Sequence, residues 1–255
     1  MKTILELRGV SAGYGGRSNR VKPILQNINL SVQEGELLVL AGPNGSGKTT
    51  LLKTAGGLLS PLEGSVLIKG KESRTLKSRE RAKLTAFLFQ VRDAPWSFTV
   101  RETVAQGRFA RSGWLGSETR EDRKATENAL HKAELTHLAE SPVTEISGGE
   151  LQRVYIARSI AQGADLLLLD EPENSLDPKY AYMILQLLQT IVREGRSAIV
   201  SLHDLRLASR FADRVALLAP SQGIVALGTP DQVLTKETLG KTFDVSPELI
   251  ESMVL

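Results

Sequence analysis

Gly42-Pro43-Asn44-Gly45-Ser46-Gly47-Lys48-Thr49 fits the spacing G-x-x-x-x-G-K-T. That spacing suits a phosphate cradle. Glycines let backbone N–H groups turn inward around phosphate oxygens, and the positive end of a following helix adds to the attraction. Lys48 is placed to bridge β- and γ-phosphates, Thr49 can offer its hydroxyl to Mg²⁺, and Thr50 carries the cradle into the helix. A second constellation is Leu166-Leu167-Leu168-Leu169-Asp170-Glu171-Pro172, an apolar run ending in carboxylates. Ligands of open parallel sheets bind beyond the carboxyl ends of the strands, so Asp170 is a candidate holder of Mg²⁺ beside Thr49. Glu171, off the strand end, is the candidate to polarise an attacking water. Taken alone, the two acids could equally begin a surface loop. The third is Ile146-Ser147-Gly148-Gly149-Glu150-Leu151-Gln152-Arg153. Ser147 and Glu150 have the spacing of a capping box, and two glycines leave the helix start bare, which suits an anion. A plain helix cap explains the same spacing.

These groups need strands and helices to hold them. Ile4 to Leu7 and Ile28 to Val32 alternate as strands do, and Leu37 to Leu40 reads as a strand buried on both faces, directly before the glycine-rich loop. Thr49 to Leu59 is expected to be helical. Ser65 to Lys69 and Leu84 to Phe89 read as strands. From about Val91 to Gln162 helical patterns take over, at Val100 to Phe109, Glu121 to Ala133 and Glu150 to Ala161, with a loop at Trp114 to Ser117. Residues 91–162 are therefore expected to form an inserted helical subdomain within a single domain spanning 1–255. Asp165 to Leu169, Ala198 to Leu202, Val215 to Leu218 and Ile224 to Leu227 are further strands, the last two flanking a hairpin turn at Pro220 to Gly223. Helices are expected from Pro178 to Glu194 and from Leu205 to Ala212, the latter capped by Asp204, with further helical pieces after Thr229-Pro230. Alternating strands and helices point to an α/β fold with a mostly parallel sheet.

Bulk composition narrows the possibilities. The chain has 255 residues, 41% hydrophobic and 24% charged, with a net charge of +3, a globular balance long enough for a sizeable core. Basic residues are spread among acidic ones, which argues against a nucleic-acid partner. The densest basic stretch, Lys77 to Lys83, reads as a solvated face. There is no cysteine, which removes disulfides, thiolate metal sites and a cysteine nucleophile. The apolar runs are too short for a bilayer span and the N-terminus lacks the apolar region of a signal peptide. A cytoplasmic chain is expected, relying on other chains for any membrane crossing.

Ser147-Gly148-Gly149 with Gln152-Arg153, lying between the phosphate loop and the Asp170 strand, resembles the signature motif of ABC ATPases. The resemblance covers nearly the whole chain and implies a P-loop NTPase core, an N-terminal antiparallel β subdomain and the inserted helical subdomain. It identifies Tyr14 as the adenine-stacking aromatic and Gln90 as the glutamine that contacts Mg²⁺ or water. Ser175-Leu176-Asp177 matches the D-loop and His203 the switch histidine. It also implies head-to-tail pairing of two copies, with ATP and Mg²⁺ held between the cradle of one and Ser147, Gly148, Gly149 and Glu150 of the other. Ile146 stands where leucine is usual, Glu150 where glutamine is most common, and Glu173-Asn174 before Ser175 is less usual, which bears on the dimer contact.

A lone nucleotide-binding domain without spanning segments favours an importer with separate permease subunits, peripheral on the cytoplasmic side of the inner membrane and served by an extracytoplasmic substrate-binding protein. Thr99 to Val104 with Gly107-Arg108, and His203-Asp204-Leu205 with Leu207-Ala208, resemble ATPases for iron–siderophore, haem and cobalamin uptake. A zinc or manganese importer, and a soluble ABC ATPase acting on ribosomes or DNA, are the alternatives. Trp96 and Phe98 follow Gln90 and are either exposed for a membrane subunit or packed in the core.

Overall fold

A computed structural model describes residues 2–14, 23–89, 98–112, 118–174 and 176–244. Gln90, Trp96 and Ser175 lie outside the described residues, as does the stretch 113–117.

The strands are β1 (Thr3–Ala12), β2 (Leu25–Gln33), β3 (Leu37–Ala41), β4 (Glu63–Ile68), β5 (Lys71–Glu72), β6 (Thr85–Leu88), β7 (Leu166–Asp170), β8 (Ser197–Ser201), β9 (Arg214–Ala219) and β10 (Gly223–Gly228). The helices are α1 (Lys48–Ala55), α2 (Ser78–Leu84), α3 (Val100–Ala105), α4 (Phe109–Ser112), α5 (Arg120–Lys132), α6 (Gly148–Gln162), α7 (Pro178–Arg193), α8 (Leu205–Phe211), α9 (Pro230–Val233) and α10 (Lys236–Phe243).

Two sheets result. Strands β2-β1-β4-β5 form an antiparallel sheet at the N-terminal end, and β10-β9-β3-β8-β7-β6 form a sheet that is parallel except for the β9–β10 hairpin. The α/β expectation, with its antiparallel β part and mostly parallel core, is thus met.

The parallel sheet is buried on both faces, which is why its strands read as continuous apolar runs. In β3, Leu37, Val39 and Ala41 join one core, together with residues of α3, α5, α6, α7 and α8. Leu38 and Leu40 join the other, with Leu51 and Leu52 of α1 and the inward face of the antiparallel sheet. The two-residue period of a strand thus sends neighbouring leucines into different cores.

Several elements depart from the sequence reading: β5 is an additional strand, and the helix expected over Val100 to Phe109 is α3, a 3₁₀ turn over Gln106–Arg108 and the start of α4. Helix α1 ends at Ala55, short of Leu59. The left-handed turn at Gly57, φ 75°, stops it, and Gly56 before it makes room for the Phe87 ring, which lies 1.8 Å from where a Cβ would stand. The basic stretch Lys77 to Lys83 is a solvated face as expected, but most of it is helix α2, which buries none of its residues. A helix without an apolar face leaves no periodic signal to read. Phe98 is exposed.

Candidate active site

The cradle follows β3 directly. Gly42 has φ 140°, and a Cβ there would lie 2.2 Å from the Leu218 carbonyl oxygen, so only glycine fits. Gly47 adopts the left-handed region as the N-cap of α1, leaving the first N–H groups of that helix bare of any side-chain cap. The Ser46 hydroxyl is buried in this loop with no hydrogen-bond partner. Lys48 is buried too. Its Nζ donates to the carbonyls of Gly42 (2.8 Å) and Pro43 (3.3 Å), which hold the ammonium in the loop. Burial pushes the Lys48 ammonium down, and the opposing charges of Glu171, Asp170 and Glu173 offset that. Bare N–H groups, an orphaned hydroxyl and a confined ammonium all suit phosphate oxygens. Asn44 and Gly45 form the exposed rim of the loop, whereas Thr50 is buried beneath it.

Strands β7 and β8 bring the acids to the same place. Thr49 Oγ1 donates to Asp170 Oδ2 at 2.6 Å. Asp170 pairs in register with Ser201, whose hydroxyl donates to Asp170 Oδ1 at 2.7 Å and accepts the Glu171 N–H at 2.9 Å. Glu171 is a non-glycine residue at φ 50°. Such a conformation is costly and persists only when its surroundings over-determine it. Here the Ser201 bond and the turn bond from Asn174 N–H to the Glu171 carbonyl (3.1 Å) do so. The result directs Glu171 away from the strand, and its Oε1 lies 2.6 Å from His203 Nε2. Thr49 Oγ1 and Asp170 Oδ2 are hard oxygen donors of the kind that Mg²⁺ takes, while no group of three or more His, Cys, Asp or Glu among the described residues forms an all-protein metal cage. That fits a cation completed by phosphate and water.

The Ser147 helix start is a full capping box. Ser147 Oγ accepts the Glu150 N–H at 3.3 Å, and Glu150 Oε2 accepts from Ser147 N–H (2.8 Å) and from its hydroxyl (2.7 Å). These bonds, the side-chain one first, hold the Glu150 carboxyl below its usual range. Ser147 and Gly148 are exposed, and a Cβ on Gly148 would meet nothing within 4 Å. Helix α6 is tied to the acidic loop, because Gln152 Nε2 donates to the Pro172 carbonyl at 3.0 Å. Gly149 lies against the Tyr180 ring of α7.

Tyr14 is exposed with Lys53 Nζ 5.5 Å from its ring centroid. The same ammonium stands 5.5 Å from the Phe89 ring. Asp177 caps α7 by position, is exposed, and makes no side-chain cap bond. Asp204 caps α8 as expected, accepting from Arg206 and Leu207.

Phosphate loop, Asp170, Glu171 and His203 are therefore brought together, while the Ser147 start and Asp177 face outward. Sequence reasoning does not reach Ser201, and it reaches Glu173 only through the dimer contact, whereas the structure sets the Glu173 carboxyl on the His203 N–H. A serine closing the apolar run Ser197 to Ser201 is the one signal for Ser201, and it becomes informative only once β8 is known to lie beside β7.

Known proteins resemble this chain over most of its length. A family model described as "ABC transporter" matches residues 25–174. The iron(3+)-hydroxamate import ATP-binding protein FhuC of Bacillus subtilis (strain 168) is 36% identical over 247 residues, covering 96% of this chain and 90% of that protein. Among solved structures, an ATP-binding cassette dimer in a post-hydrolysis state with ADP and Pi is 30% identical with a TM-score of 0.77, covering 89% of this chain and 98% of that one. A metal-chelate type ABC transporter in an inward-facing conformation is 26% identical with a TM-score of 0.82, covering 96% and 90%.

Proposed function

This chain belongs to the ABC transporter ATP-binding family and is an ATPase, and from that premise we propose that it is the motor subunit of a metal-chelate importer. Its cargo class is a chelated metal of the siderophore, haem or cobalamin kind. The observation that carries the ATPase chemistry is the pair of contacts at the strand ends, Thr49 to Asp170 and Glu171 to His203, both 2.6 Å. Similarity to an iron(3+)-hydroxamate import protein over nearly its full length supports the cargo class.

In this reading the glycine-rich loop and Lys48 bind the β- and γ-phosphates, and Thr49, Asp170 and Gln90 would hold Mg²⁺. Bound with the nucleotide, Mg²⁺ supplies positive charge against the phosphate oxygens. Glu171 orients the water for in-line attack and takes up its proton. His203 holds Glu171 by the ring and senses the γ-phosphate. Tyr14 stacks on adenine, an assignment that its exposure and the nearby Lys53 support.

Two copies pair head to tail. Ser147, Gly148, Gly149 and Glu150 of one then complete the cradle of the other, with Asp177 at the same interface. The exposure of Ser147, Gly148 and Asp177 supports this. We read residues 91–162 as an inserted subdomain within the single domain, carrying the Ser147 start. No helix among the described residues is long and apolar enough to cross a membrane. Permease subunits would provide the crossing, an extracytoplasmic binding protein the cargo, and this chain would sit peripherally on the cytoplasmic side of the inner membrane.

The test is co-expression with permease and binding-protein subunits of a metal-chelate importer, followed by reconstitution. Uptake of a ferric siderophore, haem or cobalamin that depends on ATP supports the reading. A complex that moves only free zinc or manganese, or a chain that co-purifies with ribosomes rather than a permease, refutes it.

A further inference from the structure

We propose that Glu173 is a positioning residue for ATP hydrolysis, its buried carboxyl anchoring the backbone of His203 so that the imidazole meets Glu171. Glu173 Oε1 accepts the His203 N–H at 2.9 Å. The ring of the same histidine reaches Glu171 through Nε2. One turn thus grips one histidine twice, by its main chain through Glu173 and by its side chain through Glu171. That turn is closed by the Leu176 N–H bonding the Glu173 carbonyl at 3.2 Å. On the other side Leu202 N–H bonds the Leu40 carbonyl at 3.1 Å, which fixes the end of β8 against β3. His203 is the first residue beyond that fixed point, so its backbone needs a hold of its own.

A side chain that only filled space here would be apolar, since burying a carboxyl is costly. Glu173 is only 8% exposed, and its second oxygen, Oε2, is buried with no hydrogen-bond partner. What the turn uses is therefore one acceptor, not a full carboxylate. Burial pushes the Glu173 carboxyl up toward its neutral form, with the bond from the His203 N–H opposing it. The titratable groups beside it are His203, Glu171 and Lys48. In either protonation state the carboxyl offers the one oxygen that His203 requires.

This inference rests on the roles proposed above for Glu171 and His203, and the test separates the two. The chain has three histidines, so His131 and His137 act as internal references in NMR spectra of the full-length protein. Glu173→Gln keeps the acceptor and the shape. Its His203 amide and ring signals should stay in place, with kcat within about twofold of the parent. Glu173→Leu removes the acceptor. It should displace the His203 signals and lower kcat by roughly tenfold or more, the worth of one buried hydrogen bond, with unchanged affinity for a non-hydrolysable ATP analogue. Glu173→Ala asks the same question if the leucine variant fails to fold. Unmoved His203 signals in the leucine or alanine variant overturn the anchor, as does a glutamine variant as damaged as they are. His203→Ala is measured beside them. Full activity there overturns the role assigned to His203, and with it the catalytic half of this proposal, whatever the Glu173 spectra show.

Discussion

His203 Nε2 lies 2.6 Å from Glu171 Oε1, and the two residues come from the ends of adjacent parallel strands, β7 and β8. Ser201 ties Glu171 to Asp170, donating to Asp170 Oδ1 and accepting the Glu171 N–H. The carboxylate suited to a metal, the carboxylate suited to a water and the histidine are therefore positioned as a unit. A change in any one is expected to be felt by the others, and the consequences differ by residue.

Glu171→Gln keeps the size of the side chain and removes the charge that would accept a proton from water. ATP affinity should stay near the parent value while kcat falls by roughly 10²–10⁴, the usual worth of a general base. The trapped ATP state should accumulate as a dimer in size-exclusion chromatography with light scattering. Only monomer in the presence of ATP would contradict the head-to-tail sandwich.

Lys48→Ala empties the cradle of its one ammonium. Charge-assisted contacts to phosphate are worth about 1.5–3 kcal/mol, so ATP affinity should drop by roughly ten- to a hundredfold. Near-normal ATPase activity at low ATP would contradict the role given to Lys48.

Ser201→Ala leaves Asp170 Oδ1 and the strained Glu171 amide without their shared partner. The variant should lose about 1–3 kcal/mol of stability in denaturant titration, the cost of unpaired buried polar groups. Its kcat should fall further than its ATP affinity, because the phosphate loop is untouched. Unchanged kcat would show that Glu171 keeps its conformation without the serine.

Glu173 links stability to pH. Its carboxyl is raised by burial, so the native chain keeps a proton above pH 4.5 that the unfolded chain releases. The contribution of the neutral acid is complete below that value and is lost as pH climbs through the folded one. Glu173→Gln has no such dependence. Its Tm should exceed the parent's by a margin that widens toward alkaline pH and closes in acid. A margin independent of pH would refute the buried neutral acid.

Much of this was legible because it is local. A phosphate loop is one turn, its glycines needed where Gly42 meets the Leu218 carbonyl and where Gly47 opens α1, and its spacing survives in the bare sequence. The Ser147–Glu150 box and the Asp204 cap are likewise complete within three residues. The β9–β10 hairpin needed only its turn. Helix α2 is illegible because it buries nothing, whereas the early end of α1 is written in Gly56-Gly57, where the second glycine turns left-handed.

By itself the sequence determined which groups could do chemistry: the Gly42 to Thr49 cradle, the acids ending an apolar run, and a bare helix start at Ser147. Beyond the expected approach of Asp170 to Thr49, which residues meet was decided only by the tertiary structure. Parallel strands are joined by long crossovers, so no spacing rule says that β7 lies beside β8 or that Ser201 faces Asp170. The buried grip of Glu173 on His203 belongs to the same class, since it exists only where two strand ends are packed against one another.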